Sequence, residues 1–140
     1  MTGEVEGMFA AMLLVISIVA LSQFGLYYWR SVLAGVAAQP VSGRVLEAAR
    51  VNGTVSANDF DTFAGLHDLT PELQPNAGSL STVRFYVRAI EAIDSLFGAA
   101  VPSIAAWSQR ERAVCARYAA VQIDRRLQAN LELAAALRSC

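Results

Sequence analysis

Hydrophobic residues are concentrated at the start of the chain, where an apolar run reaches from Gly7 to Trp29 without a charged residue. As an α-helix this run would measure about 34 Å, which exceeds the roughly 30 Å hydrocarbon core of a bilayer. A cleaved signal peptide, a buried core helix and a retained membrane span could each have such a run. The segment before this run, MTGEVE, carries two glutamates and no cation, which disfavours a signal peptide. A buried core helix of a soluble protein rarely needs an apolar surface on every side. The sequence therefore predicts a transmembrane helix over residues 7–29, within an anchor segment 1–39.

Small residues and interfacial aromatics give this predicted span two distinct features. At 100° per residue, four small side chains share an arc of about 60°, and such rows let membrane helices pack closely. They are Gly7, Ala11, Ser22 and Gly25. Small residues are common in any span, so chance alignment is the alternative.

The C-terminal end of the predicted span carries an aromatic cluster and a cation, typical of a membrane–water interface; these are Tyr27, Tyr28, Trp29 and Arg30. Gln23 lies opposite the small residues, on the side of Ile16, where it would reach the interface or meet a second partner.

Residues 40–78 predict short helices and loops. The segment VSGRVLEAARV has the composition of a helix that stops at Asn52-Gly53. Ser56 and Asp59 have the spacing of a capping box, which predicts a second helix through about His67. Prolines and a glycine then indicate a loop up to residue 78.

Residues 79–140 predict an antiparallel helical hairpin, with one helix over about 79–97 and another from Ser103 onwards. The first helix has one apolar face, made of Leu80, Val83, Tyr86, Val87, Ile90, Ile93 and Phe97. The second has two apolar stripes more than 90° apart. The first stripe is Trp107, Val114, Tyr118 and Val121; the second is Ala116, Ala120, Ile123, Leu127, Leu131 and Ala134. One stripe is enough to pack against the other helix of the hairpin. The second stripe must be covered by something else: residues 41–68, another copy of the chain or another protein.

The fold class is accordingly all-α: one N-terminal transmembrane helix, then a small helical domain that ends in the hairpin. Arg30, Arg44 and Arg50 follow the span and no arginine precedes it. The positive-inside rule then predicts a single-pass protein with its N-terminus outside and the helical domain in the cytoplasm.

The overall charge of the chain argues against nucleic acid as a partner. The net charge is −1 and all eleven basic residues are arginine, since lysine is absent. Nucleic acid is therefore not an expected partner, because domains that bind it usually run strongly basic. Cys115 and Cys140 would lie about 37 Å apart on one helix, too far for a disulfide within the chain, and reduced cysteines fit a cytoplasmic domain.

The last predicted helix is net basic, and none of its charges has an opposite charge three or four residues further on. Three partners would suit its arginines: the acids of residues 59–72, the surface of another protein, or anionic lipid headgroups. The side chains that we expect at a protein contact are Arg110, Arg112, Arg117, Arg125, Arg126, Ile123, Leu127 and Leu131.

The sequence contains no motif for a reaction. His67 is the single histidine, and no cysteine or histidine at suitable spacing could complete a metal site with it. Asp59-x-Asp61 resembles the start of a calcium loop, but Phe63 and Ala64 stand where a ligand and a glycine belong. We therefore expect no enzyme activity, no metal, no cofactor and no deep pocket around His67.

These features together predict a non-catalytic protein that acts by contact with other membrane subunits and with the bilayer. The first hypothesis is an accessory, structural or assembly subunit of a larger membrane complex of respiratory, photosynthetic or transport type. The alternative is a signalling or regulatory adaptor that forms a homo-oligomer through its span and presents the hairpin to a soluble partner.

Overall fold

The computed structural model describes residues 2–72 and 79–139, and every regular element within them is helical. The first helix, α1, is Thr2–Ala37, longer at both ends than the predicted span. One helix, with bounds Gly3–Ala37, is long and apolar enough to cross a membrane. Pro40 follows the end of α1, as expected for a residue that lacks the N–H needed to continue a helix. By its contacts the chain divides into two units, Met1–Leu33 and Ala34–Cys140.

Four further helices lie within the described residues of the second unit. They are α2, Gly43–Ala48; α3, Phe60–Leu69; α4, Ser81–Ile93; and α5, Pro102–Arg138. A 3₁₀ turn, Ala57–Asp59, precedes α3, and a π-helical turn, Asp94–Gly98, extends α4. The predicted helices are present, with shifted ends. The predicted loop up to residue 78 falls largely on residues 73–78, which lie outside the described residues.

The backbone hydrogen bonds show how two of these helical segments begin and end. Ser56 and Asp59 form the predicted capping box: the Asp59 carboxylate accepts from the Ser56 N–H at 2.7 Å. The end of α2 differs from the prediction. Arg50, with φ +56°, takes the left-handed position that closes the helix, two residues before the Asn52-Gly53 pair. Its N–H donates to Glu47 and the N–H of Val51 donates to Leu46, the bond pattern of a Schellman motif.

Helix α5 is the centre of the helical domain, because α2, the 3₁₀ turn, α3, α4 and the π turn all contact it. Its most deeply buried positions are small: Ser108, Cys115, Ala116, Ala119 and Ala120 are all 0% exposed. Small side chains let neighbouring backbones approach closely, which explains the alanine content of this helix. Large side chains from the other helices fill the core around it, with Phe63 and Val83 both 0% exposed.

The second apolar stripe of α5 is covered over part of its length. Ala116, Ala120 and Ile123 are buried, Leu127 is half-buried, and Leu131 is 57% exposed. Polar contacts place the preceding short segments against this part of α5: the Ser42 N–H donates to Asp124, and Arg126 donates to the His67 carbonyl. The expectation that residues 41–68 cover the stripe thus holds as far as Ile123. After Asn130, which donates to the Pro71 carbonyl, almost every described residue of α5 is exposed.

Helix α4 contacts α5 through polar pairs as well as apolar residues. The Tyr86 hydroxyl donates to Glu111 at 3.0 Å, and Arg112 lies 3.6 Å from the Glu91 carboxylate. Much of the predicted first stripe is only half-buried, including Trp107 and Val114. The side chains of α5 that face α4 therefore include charged residues that the spacing of apolar residues alone does not identify.

Candidate functional site

The small residues of α1 lie on an uncovered surface. Gly7, Ala11, Ser22 and Gly25 are all exposed, and a Cβ atom added at Gly7 or Gly25 would meet no atom within 4 Å. A second helix could approach this surface closely. Because the space next to the Gly25 Cα is open within this chain, an effect of substitution there on association would report a partner.

The aromatic cluster at the end of the predicted span also points outward. Tyr27 is 76% exposed and Tyr28 is 66% exposed, while Trp29 is half-buried and Arg30 is exposed. Exposed phenol rings are amphipathic, with an apolar body and a hydroxyl tip that suits the headgroup level of a bilayer. The assignment of these four residues to an interface stays a prediction.

The structure divides the predicted contact residues of α5 into two groups. Three of them take part in the fold of the domain: Ile123 is 2% exposed, Arg126 pairs with Glu72 at 3.4 Å, and Arg112 pairs with Glu91. Ile123 and Arg126 are buried in the folded domain, whereas the Arg112 side chain remains 19% exposed.

The other five are accessible to different degrees. Arg110, Arg117 and Arg125 are exposed, although Arg125 donates to the Gln39 side chain at 2.8 Å. Leu127 is half-buried and Leu131 is exposed. The candidate contact surface on α5 is therefore narrower than the sequence pattern suggested, and it includes the helix end that extends beyond Asn130.

A cavity of about 620 Å³ lies beside His67, where the sequence predicts no deep pocket. The cavity is widely open to solvent rather than enclosed, so the absence of a deep pocket stays a prediction. Its walls come from the end of α3, the start of α4 and α5, on either side of the undescribed residues 73–78. The lining residues are His67, Asp68, Thr70, Pro71, Glu72, Ser79, Leu80, Ser81, Arg84 and Arg126.

Charged groups dominate this cavity, and the arginines are paired with carboxylates. Arg84 donates to Asp68 at 2.7 Å and to the Ala64 carbonyl at 2.9 Å. The Arg84 guanidinium holds the pKa of Asp68 below its ordinary value, so the carboxylate stays ionised at neutral pH. His67 is 6% exposed, and its Nδ1 lies 3.8 Å from Asp68.

This arrangement is poorly suited to proton transfer to Asp68, because a carboxylate held by an arginine is a weak base. Small-molecule pockets are mostly apolar with a few polar groups, whereas only Pro71 and Leu80 are apolar among the residues named above. No cluster of three or more histidine, cysteine, aspartate or glutamate side chains that could hold a metal occurs within residues 2–72 and 79–139.

The cavity and its ion pairs could not be found from the sequence. Asp68 lies on α3 and Arg84 on α4, sixteen residues further along the chain, and no periodic pattern connects residues of two different helices. Only the packing of α3 and α4 on α5 brings them together.

Cys115 is fully buried in the core and its environment makes it unreactive. Burial, with a contribution from the Glu111 carboxylate, raises the pKa of its thiol to about 12. A thiol in this state is a poor nucleophile and a poor metal ligand, because both roles need the thiolate.

Exposed apolar helices and internally paired charges thus characterise the described part of the molecule. The chain matches no protein-family model, and neither a curated protein nor a solved structure is significantly similar to it.

Proposed function

We propose that this protein is a non-catalytic, single-span membrane protein that serves as an accessory or assembly subunit of a larger membrane complex. One observation carries the proposal. Helix α1 is long and apolar enough to cross a membrane, and none of its apolar window is covered by the rest of the chain. A surface of this kind must be covered by lipid or by other helices, since water contact with so much apolar area is unfavourable.

The helical domain supports a role in protein contact. Arg110 and Arg117 are exposed on α5, and the end of α5 presents Leu131 and Leu137, which are 57% and 71% exposed. Arginine beside apolar side chains is a combination that protein interfaces favour. With the N-terminus outside, as the arginine distribution predicts, these residues would meet partners on the cytoplasmic side.

The alternative function is a self-associating adaptor in signalling or regulation. The uncovered row of Gly7, Ala11, Ser22 and Gly25 favours it, because rows of small residues also mediate pairing of identical spans. The two functions differ in what surrounds α1: other subunits in the first, a second copy in the alternative.

The decisive experiment is affinity purification of the tagged full chain in mild detergent, followed by native electrophoresis and mass spectrometry. The proposal predicts that the chain migrates with a large complex of other membrane proteins. Migration as a homo-oligomer alone would favour the adaptor, and recovery as a lone monomer would contradict both. Alkaline carbonate washing of membranes provides the prior check, because release of the intact chain would exclude a span.

A pair of variants tests the small-residue surface within the same experiment. Gly25→Leu adds bulk to that surface and should reduce recovery of the partner while membrane insertion is unchanged. Ile16→Phe adds bulk on the opposite side of α1 and serves as the matched control. Equal recovery with both variants would show that the small residues are incidental.

A further inference from the structure

The connection between α4 and α5 has an exposed apolar surface that no sequence pattern assigned to a partner. We call residues 95–107 the apolar tip. From Ser95 to Gln109 the chain carries no charged residue. Within the tip, Leu96 is 74% exposed, Phe97 is 51% exposed and Val101 is 38% exposed. Large apolar side chains that are close in sequence and all reach the solvent form a patch, and patches of this kind mark contact sites.

The π-helical turn explains why these side chains are outside the core. Ile93 and Phe97 belong to the apolar face that the spacing predicts for α4, together with the buried Val83 and Ile90. The π turn from Asp94 to Gly98 has more residues per turn than an α-helix, so it changes the register of that face. Phe97, which lies within the π turn, is consequently 51% exposed; Ile93, which precedes the turn, is 39% exposed.

Hydrogen bonds within the tip satisfy part of its backbone, which lowers the cost of removing it from water. The N–H groups of Ala100 and Val101 donate to the Phe97 carbonyl, at 3.1 and 2.9 Å. The Val101 carbonyl accepts from Ile104 at 2.9 Å, and Pro102 has no N–H to satisfy. Unpaired backbone groups are the main obstacle to placing a turn in an apolar medium, and these bonds reduce their number.

Charges at the two borders of the tip suit an anionic surface. Arg110, which follows the uncharged stretch, is exposed, and the Arg88 side chain, on the preceding helix, is 72% exposed. Of the acids nearby, Glu91 pairs with Arg88 at 2.9 Å, and Asp94 is half-buried. Apolar side chains bordered by exposed arginines form the combination that binds the interface of membranes with anionic lipid.

We propose that the apolar tip inserts into the interfacial region of a lipid bilayer and gives the helical domain a second membrane contact besides α1. Phe97 and Trp107 are residues that favour this depth of the bilayer. Attachment through α1 would raise the effective concentration of lipid at the tip, so that a small apolar surface is sufficient. The proposal does not depend on membership of a larger complex.

Depth-dependent quenching of a fluorophore tests the insertion in the full chain. Cys140→Ser removes one native thiol, and the other, Cys115, is buried with a pKa of about 12 and does not react while the domain is folded. A single cysteine is then introduced by Leu96→Cys and labelled with the environment-sensitive dye NBD. The matched control is Leu69→Cys, at a leucine on α3 that is 81% exposed. Both are reconstituted in vesicles of phosphatidylcholine and phosphatidylglycerol.

The proposal predicts a blue shift of NBD emission at position 96, quenching by nitroxide-labelled lipid and loss of quenching by aqueous iodide. The dye at position 69 should show the opposite behaviour. Equal iodide quenching at both positions would overturn the proposal. Protection from iodide without quenching by lipid nitroxide would also overturn it, because it would show a protein at the tip. Either result leaves co-purification with a complex unaffected, so failure of this proposal is distinct from failure of the proposed function.

Discussion

Removal of the Phe63 ring from the core of the helical domain should destabilise that domain strongly. Phe63 is 0% exposed and lies on α3, which contacts α5. Truncation of a fully buried phenylalanine to alanine removes its transfer free energy and leaves a cavity, which together cost about 3–5 kcal/mol. Since each 1.4 kcal/mol changes an equilibrium constant tenfold, the unfolded fraction should rise roughly 100- to 5,000-fold.

The labelling rate of Cys115 measures this change in the full chain. In a Cys140→Ser background Cys115 is the only thiol, and a maleimide reaches it only when the domain opens, because its side chain is 0% exposed. When reclosing is fast compared with labelling, the observed rate is proportional to the population of the open state. Phe63→Ala should therefore accelerate labelling by the factor given above, with the protein reconstituted in vesicles.

Phe85→Ala is the matched control, since it removes the same ring from α4 at a position that is 77% exposed. Surface substitutions of this kind change the free energy of unfolding by about 0.5 kcal/mol or less. If Phe63→Ala leaves the domain unfolded from the start, Phe63→Leu should still cost about 1–2 kcal/mol. Equal labelling rates for Phe63→Leu and Phe85→Ala would refute the assignment of Phe63 to the core.

Three further predictions concern the same domain. Because folding raises the pKa of Cys115, the unfolded thiol ionises first. The contribution of this thiol to the free energy of unfolding should therefore be constant below about pH 8.5 and fall as the pH rises towards 12, and urea titrations should show a shallower fall for Cys115→Ala. Arg84→Gln should raise the pKa of Asp68 towards its ordinary value, which carboxyl NMR can follow. In the unmodified chain, any stability that this exposed ion pair provides is present at a pH above the ordinary pKa of aspartate. That stability is lost as the pH falls through the lowered pKa of Asp68. Arg50→Gly should raise the free energy of unfolding by about 0.5 kcal/mol, because glycine adopts a positive φ without strain, whereas Arg44→Gly inside α2 should lower it by about 1 kcal/mol.

The elements of the chain follow from local signals, which is why the sequence predicts them. An uncharged run long enough to cross a bilayer predicts α1, and a proline ends it. The Ser56–Asp59 capping box predicts the start of the turn before α3, because both of its hydrogen bonds join residues three apart. Each of these signals acts within one or two helical turns, so no tertiary contact is needed to read it.

Tertiary structure decided which of the possible charge pairs form. Arg126 pairs with Glu72, one of the acids of residues 59–72 that the sequence offered as partners, whereas Arg112 pairs with Glu91 of α4, outside that segment. A charge pattern along one helix contains no information on the distance to a second helix. For the same reason the Asp68–Arg84 bridge and the cavity beside it were not foreseen.

The sequence by itself thus determined the helical class, the order of the helices and the apolar N-terminal rod, since these depend on composition and short-range spacing. Packing decided which apolar stripe is covered: Ile123 is enclosed, while Leu131 lies beyond the reach of the shorter helices. Packing and the π turn also decided that Phe97 lies in the solvent, because a change of helical register displaces it from the buried face. Periodicity identifies a face of a helix, but only the three-dimensional arrangement of the helices decides what covers it.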